Sequence, residues 1–186
     1  MPRQVDHDAR RTEIVQGVWL VIARDGLAAV SMRTVAAAAG VSVGRIQHYF
    51  ASKEELLRVS ARAMIEAGTD RYREDTEQAS PAGRLREALG HPIRRAAEPG
   101  PGVSIWYAYL TASATDAEIA AILAESKRGQ ETLVAGLLGE LGAPRRSALR
   151  DARALIALAD GLTERVLIGD LTTREALAVL TSRLPD

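Results

Sequence analysis

The chain has no cysteine and no asparagine, and only Lys53 and Lys127 among its 24 basic residues are lysine. Without cysteine there is no disulfide and no thiolate metal site. The three histidines (His7, His48 and His91) stand in unrelated contexts with no H-x-x-x-H pair, so no zinc site and no cofactor is expected. Aromatic residues make up only 4% of the chain. No apolar run approaches the roughly 20 residues that span a bilayer, and the first residues lack the apolar stretch of a signal peptide. A cytoplasmic protein with no membrane contact is the expectation. Excess charge is absent too: 24 basic residues balance 24 acidic ones, which on its own argues against indiscriminate binding to nucleic acid.

What is present is ordinary for a folded protein. A charged fraction of 26% and a hydrophobic fraction of 47% exclude a disordered or collagen-like chain, and 186 residues are ample for one domain or two small ones. The neutral total hides a mild asymmetry. Residues 1–62 carry nine basic and six acidic side chains, a balance of +3, which leaves −3 on the rest.

The periodicity is helical nearly throughout. Ile14, Val18, Val21 and Ile22 share one helix face, and Gly26 suits a left-handed stop. Ser31 reads as an N-cap, Val35 and Ala39 line a face, and Gly40 closes a helix of two turns. Ser42 is the next cap and opens a short helix to Phe50. Ser52-Lys53-Glu54-Glu55 matches a capping box ahead of Leu56 and Leu57, and predicts a helix to about Gln78. Ser80-Pro81 starts another, which Gly90-His91-Pro92 should kink or end early. Glu98 to Gly102 is the strongest break. Helices are then predicted over Val103–Ser113, from Thr115 or Asp116 to about Leu141, over Ser147–Ile168 and over Thr173–Leu184. The fold class is all-α, with about nine helices and no strand.

The stretch from Ser31 to Lys53 carries the functional signal. A two-turn helix, a glycine turn and a second short helix make a helix-turn-helix. The second helix has Ser42, Gly44, Arg45, Gln47 and His48 on one side, with Ile46 and Phe50 on the other. An apolar back that docks on a bundle and a polar front that reaches base edges are what a recognition helix needs. Arg pairs bidentately with guanine and Gln with adenine.

Gly26…Ser31-Met32-Arg33-Thr34-Val35-Ala36 and the run Val41-Ser42-Val43-Gly44-Arg45-Ile46-Gln47-His48-Tyr49-Phe50-Ala51-Ser52-Lys53-Glu54-Glu55-Leu56-Leu57 resemble the DNA-binding signature of the TetR family of transcriptional regulators. The resemblance covers roughly the first 60 residues, with Gln47 standing where many members carry Tyr. It implies a three-helix DNA-binding domain over residues 1–51 and a helical-bundle ligand-binding and dimerisation domain over 52–186. It further implies that Arg33, Ser42, Val43, Gly44, Arg45, Gln47, His48, Tyr49 and Lys53 line double-stranded DNA. Arg45 and Gln47 would read bases, while Arg33, Tyr49 and Lys53 would hold phosphates. Arg3, Arg10 and Arg11 could add contacts as a basic arm. Tyr49 and His48 could equally pack, and Lys53 could simply start a helix.

The same resemblance implies a homodimer on a near-palindromic operator, released by a small-molecule effector of unknown identity. For the dimer face the last two helices offer Leu155, Leu158, Leu162, Val166, Leu177 and Leu180, with intrachain core as the competing reading. For the effector pocket they leave Met64, Ile65, Gly68, Trp106, Tyr107, Tyr109 and Leu110, again against ordinary core packing. Asp160 and Glu164 read better as ion-pair partners than as ligand readers. Leu158-Ala159-Asp160-Gly161-Leu162 followed by Gly169-Asp170-Leu171 resembles the BetI-type C-terminal class. Two other classes compete with this reading: an all-helical enzyme, for which no activated nucleophile is evident, and a helical dimer with a vestigial helix-turn-helix that binds a small molecule or a protein.

Overall fold

The computed structural model describes residues 2–98 and 102–185, with side chains from residue 9 onward. Among the described residues it is all helical, with no strand. In chain order the helices are α1 (Pro2–Asp25), α2 (Met32–Ala38), α3 (Val43–Tyr49), α4 (Lys53–Thr76), α5 (Pro81–Ala96), α6 (Gly102–Ala112), α7 (Ala117–Glu140), α8 (Arg145–Leu167) and α9 (Thr173–Thr181). None is long and apolar enough to cross a membrane.

The sequence punctuation works as expected at most ends. Gly26 and Gly40 adopt φ of 80° and 65°, backbone that favours glycine. Ser31 accepts from the Thr34 amide while the Thr34 hydroxyl accepts from Ser31 N, so two orphan donors of α2 are satisfied reciprocally. At α4 the box is shifted by one residue. Ser52 Oγ accepts from the Glu55 amide at 3.1 Å, but Glu55 reaches back to the amide of Ala51, at 2.7 Å. Asp116 caps α7 by accepting from the amides of Glu118 and Ile119. The break expected at Glu98–Gly102 falls largely on residues 99–101, outside the described residues.

One expectation fails. The helix opened by Ser80 and Pro81 does not end at Gly90-His91-Pro92 but runs on to Ala96. Pro92 has no amide to give the carbonyl four residues back, that of Ala88. The side-chain amide of Gln130 donates to that carbonyl instead, at 3.4 Å. Gln130 is itself held by Lys127, whose ammonium donates to its Oε1 at 3.2 Å and to both oxygens of Asp160 at 2.7 Å. A network from α8 through α7 thus replaces the lost helix bond, and Asp160 is the ion-pair partner that its position suggested.

The chain forms two compact units. The first comprises residues 1–67 and 104–123. Its core joins Ile14, Val18, Val21 and Ile22 of α1 to Val35 of α2, Ile46 and Phe50 around α3, Leu56 and Ala61 of α4, and Ile105 and Tyr109 of α6. Helices α1 and α2 approach closely because residue 17 is glycine: a Cβ there would come 2.9 Å from that of Ala39. The second unit comprises residues 68–103 and 124–186, with Leu85, Leu89 and Ile93 of α5 packed among Val134, Leu137, Ile156, Leu162, Val166 and Leu180. The two compact units part within α4.

Candidate nucleic-acid interface

Helix α3 is too short to be stable alone and is held by its back. Ile46 and Phe50 are buried in the first core, while Ser42, Val43, Gly44, Arg45, Gln47 and His48 are all exposed. Ser42 Oγ accepts the Arg45 amide at 3.2 Å as N-cap, which leaves its hydroxyl hydrogen available to a ligand. Around Gly44 a Cβ would meet nothing within 4 Å, so the glycine relieves no clash inside the chain. Arg33 on α2 is exposed, and Lys53 at the start of α4 is half-buried.

Tyr49 is half-buried against the first core, and His48 sets its ring edge-on to it at a centroid distance of 5.2 Å. Tyr49 therefore serves packing and surface at once. Arg10, Ser42, Arg45, His48 and Tyr49 line an open cavity of about 470 Å³. Arg10 reaches it from α1, where Glu13 accepts from its guanidinium at 2.9 Å. Arg11 lies over the Phe50 ring, 5.2 Å from the centroid. The basic-arm expectation is thereby corrected for Arg10 and Arg11: both sit on a regular helix packed beside α3, not on an extended arm. The side chain of Arg3 lies outside the described residues.

Two cations flanking a polar concavity, next to an outward helix face with a small residue at its start, can accept a phosphate backbone and present Arg45 and Gln47 beyond it. Sequence reasoning placed α3 but not the contribution of Arg10 to its cavity, because that depends on how α1 crosses α3.

The other expected sites divide. On α6, Trp106 and Tyr107 are half-buried and Leu110 is exposed; Met64 and Ile65 on α4 are half-buried against the same core. Gly68 is exposed, with nothing within 4 Å of a Cβ built on it. Tyr109 is fully buried, and its hydroxyl pairs with Ser60 at 2.5 Å. Burial pushes its phenol up to about 12. It is a packing residue. In the second unit Leu162, Val166 and Leu180 are buried in their own chain's core, whereas Leu155, Leu158 and Leu177 are only partly covered. The apolar groups left exposed on α8 and α9 are Leu149, Leu167, Ile168 and Val179.

Comparison with known proteins bears on this geometry. The model of bacterial regulatory proteins of the tetR family matches residues 19–59, and that of the BetI-type transcriptional repressor C-terminal domain matches residues 81–186. The chain belongs to the TetR family of transcriptional regulators. A curated TetR-type relative, the BetI regulator of Paraburkholderia phymatum, is 31% identical over 183 residues, covering 95% of this chain and 92% of its own. A transcriptional regulator from Rhodococcus sp. Rha1 superposes with a TM-score of 0.79 at 25% identity, over 92% of this chain and 94% of its own. The multidrug binding protein EbrR, solved with imidazole, superposes with a TM-score of 0.67 at 29% identity, over 95% and 96%. As a TetR-family member the protein is a DNA-binding regulator of transcription and not an enzyme.

Proposed function

We propose that this TetR-family regulator is a homodimeric repressor that occupies a near-palindromic operator and leaves it when a small-molecule effector binds its helical body. The observation that carries the reading is α3: a helix with a fully buried apolar back and an exposed front that holds Ser42, Arg45, Gln47 and His48, beside a cavity flanked by Arg10 and Arg45. In this reading Arg45 and Gln47 meet base edges, while Arg33, Tyr49, Lys53 and Arg10 hold phosphates. Gly44 lets the backbone approach the groove floor, flanked by Ser42, Val43 and His48. A protein acting on chromosomal operators works in the cytoplasm.

Two copies are needed because one α3 reads only a half-site. Ala154, Ala157 and Gly161 repeat on one exposed face of α8, with Ile168 just past its end and Val179 on α9, and small residues permit close helix approach. Pairing these faces gives a four-helix interface and a two-fold axis that the operator mirrors. The two recognition helices must then enter grooves about 34 Å apart. For the effector, half-buried Trp106, Met64 and Ile65 pack against the same core, and the imidazole bound by EbrR supports a small nitrogenous molecule. Helix α4 runs unbroken from Leu56, in the core beneath α3, to Met64 and Ile65. A ligand wedged against the latter would move the former and shift the spacing of the two reading heads.

Selection from a library of palindromic duplexes tests this. A single enriched palindrome, bound far more tightly than random DNA, is the expected result; no enrichment sinks the proposal and leaves a vestigial helix-turn-helix. Arg45→Ala should relax specificity at one base pair by about 1–3 kcal/mol. Lys53→Ala should weaken binding uniformly and lower the salt slope by about one.

A further inference from the structure

We infer that the corner between α4 and α5 is a binding site for a divalent transition metal of the zinc class, held by Asp75, Glu87 and His91. One donor atom from each lies within 4.8 Å of the other two. Glu87 and His91 are four residues apart on α5 and so project from one helix face, the spacing by which two side chains of a helix share an ion. Their facing atoms, Oε1 and Nδ1, are 3.1 Å apart. The two atoms are hydrogen-bonded to one another, and two ligands on one tetrahedral zinc, with bonds of about 2.0–2.1 Å, stand about 3.3 Å apart, so an ion replacing the shared proton requires only a small movement here. Asp75 comes from the last turn of α4 and is exposed, paired with Arg71 through Oδ2, so that Oδ1 is the oxygen that can close the remaining gap.

The corner that carries these groups is rigid. The Tyr72 hydroxyl donates to the Arg84 carbonyl at 3.3 Å, tying α4 to α5. The hydroxyl of Thr76, a buried residue, donates to the Tyr72 carbonyl, and Ser80 caps α5. Around the donors stand orienting partners of the kind metal sites use. Arg94 holds Glu87 by Oε2 and leaves Oε1 toward His91; Arg71 holds Asp75 by Oδ2 at 3.1 Å. One imidazole and two carboxylates suit zinc, and three protein ligands leave a fourth position for water. No two-histidine motif announces the site in the sequence, because one of its three ligands comes from a different helix.

The test uses the full chain stripped with a chelator, then titrated with zinc chloride. Calorimetry should give saturable binding of one ion per chain, and the melting temperature should rise. Of the three histidine ring signals in NMR, that of His91 should shift. His91→Gln and, separately, Asp75→Asn should abolish both the binding heat and the thermal shift while melting like the parent chain in chelator. Asp75→Asn keeps the test decisive if His91→Gln alone unfolds the corner. Absence of saturable binding up to millimolar zinc overturns the site, as does binding that persists in Asp75→Asn with His91 unmoved. The three ligands include no residue of α3 or α6, so either result leaves the operator selection to stand or fall alone.

Discussion

At the scale of single residues, hydrogen-bond inventory decides which partner of a buried pair matters more. Ser60 has one hydroxyl hydrogen, and it points to the Leu57 carbonyl at 3.0 Å. The Tyr109 hydroxyl therefore donates to Ser60 Oγ. Removing Tyr109's hydroxyl takes a donor from an oxygen that still has work to do elsewhere; removing Ser60's leaves a phenol hydrogen buried without an acceptor. Ser60→Ala should then destabilise by about 1–3 kcal/mol in urea melts and Tyr109→Phe by about 1 kcal/mol or less. The phenol also sets a pH window. Its ionisation is raised from 10.0 to about 12 by burial, so its contribution to stability is complete below pH 10 and fades between 10 and about 12. The parent chain should lose more stability than Tyr109→Phe across that range, and equal losses would refute the assignment. Gly44 is the opposite kind of residue, exposed and unconfined inside the chain. Gly44→Ala should raise stability by about 0.5–1 kcal/mol while weakening operator binding. A variant that gains stability and keeps full affinity would show that the groove floor does not come close at this position.

At the scale of helices, Pro92 shows how tertiary structure overrides a local stop signal. The proline removes a bond from α5, and Gln130, from α7, makes it again to the Ala88 carbonyl. Gln130→Ala should cost about 1 kcal/mol with Pro92 present and much less in Pro92→Ala, where a backbone amide can serve the same carbonyl. Equal costs in the two backgrounds would mean that Gln130 stabilises the fold by other contacts. What could be read in advance follows the same division. The caps at Ser31, Ser42, Ser80 and Asp116 and the turns at Gly26 and Gly40 are local chemistry, so they were legible, and with them the whole of α2, the turn and α3. The continuation of α5 through Pro92 was not, since the group that serves the freed Ala88 carbonyl lies 42 positions beyond that residue in the chain. Nor could periodicity tell a core stripe from an interface stripe. Leu162, Val166 and Leu180 have the spacing of either, and only packing shows that their own chain covers them. For the same reason the place of Arg10 beside α3 and the burial of Tyr109 were out of reach, as both depend on helix crossings.

At the scale of the whole molecule, a chain with zero net charge has to bind a polyanion without relying on bulk attraction. The +3 balance over residues 1–62 supplies a weak local bias, and the proposed two-fold dimer would double the reading surface. In that reading tight operator binding depends on dimerisation. The exposed stripe of Ala154, Ala157 and Gly161 on α8 is the place to break it. Gly161 has open space around it in the single chain, so an arginine there harms nothing within the subunit but sets a large cation in the middle of the proposed interface. Gly161→Arg should sediment as a monomer and melt independently of protein concentration, with its helical content unchanged. Its α3 remains intact, so half-site binding should persist weakly while the tight operator complex disappears. A Gly161→Arg chain that still sediments as a dimer would move the interface off this face of α8. One that is monomeric yet binds the operator as tightly as the parent would remove the need for two reading heads, and with it the symmetry expected of the operator.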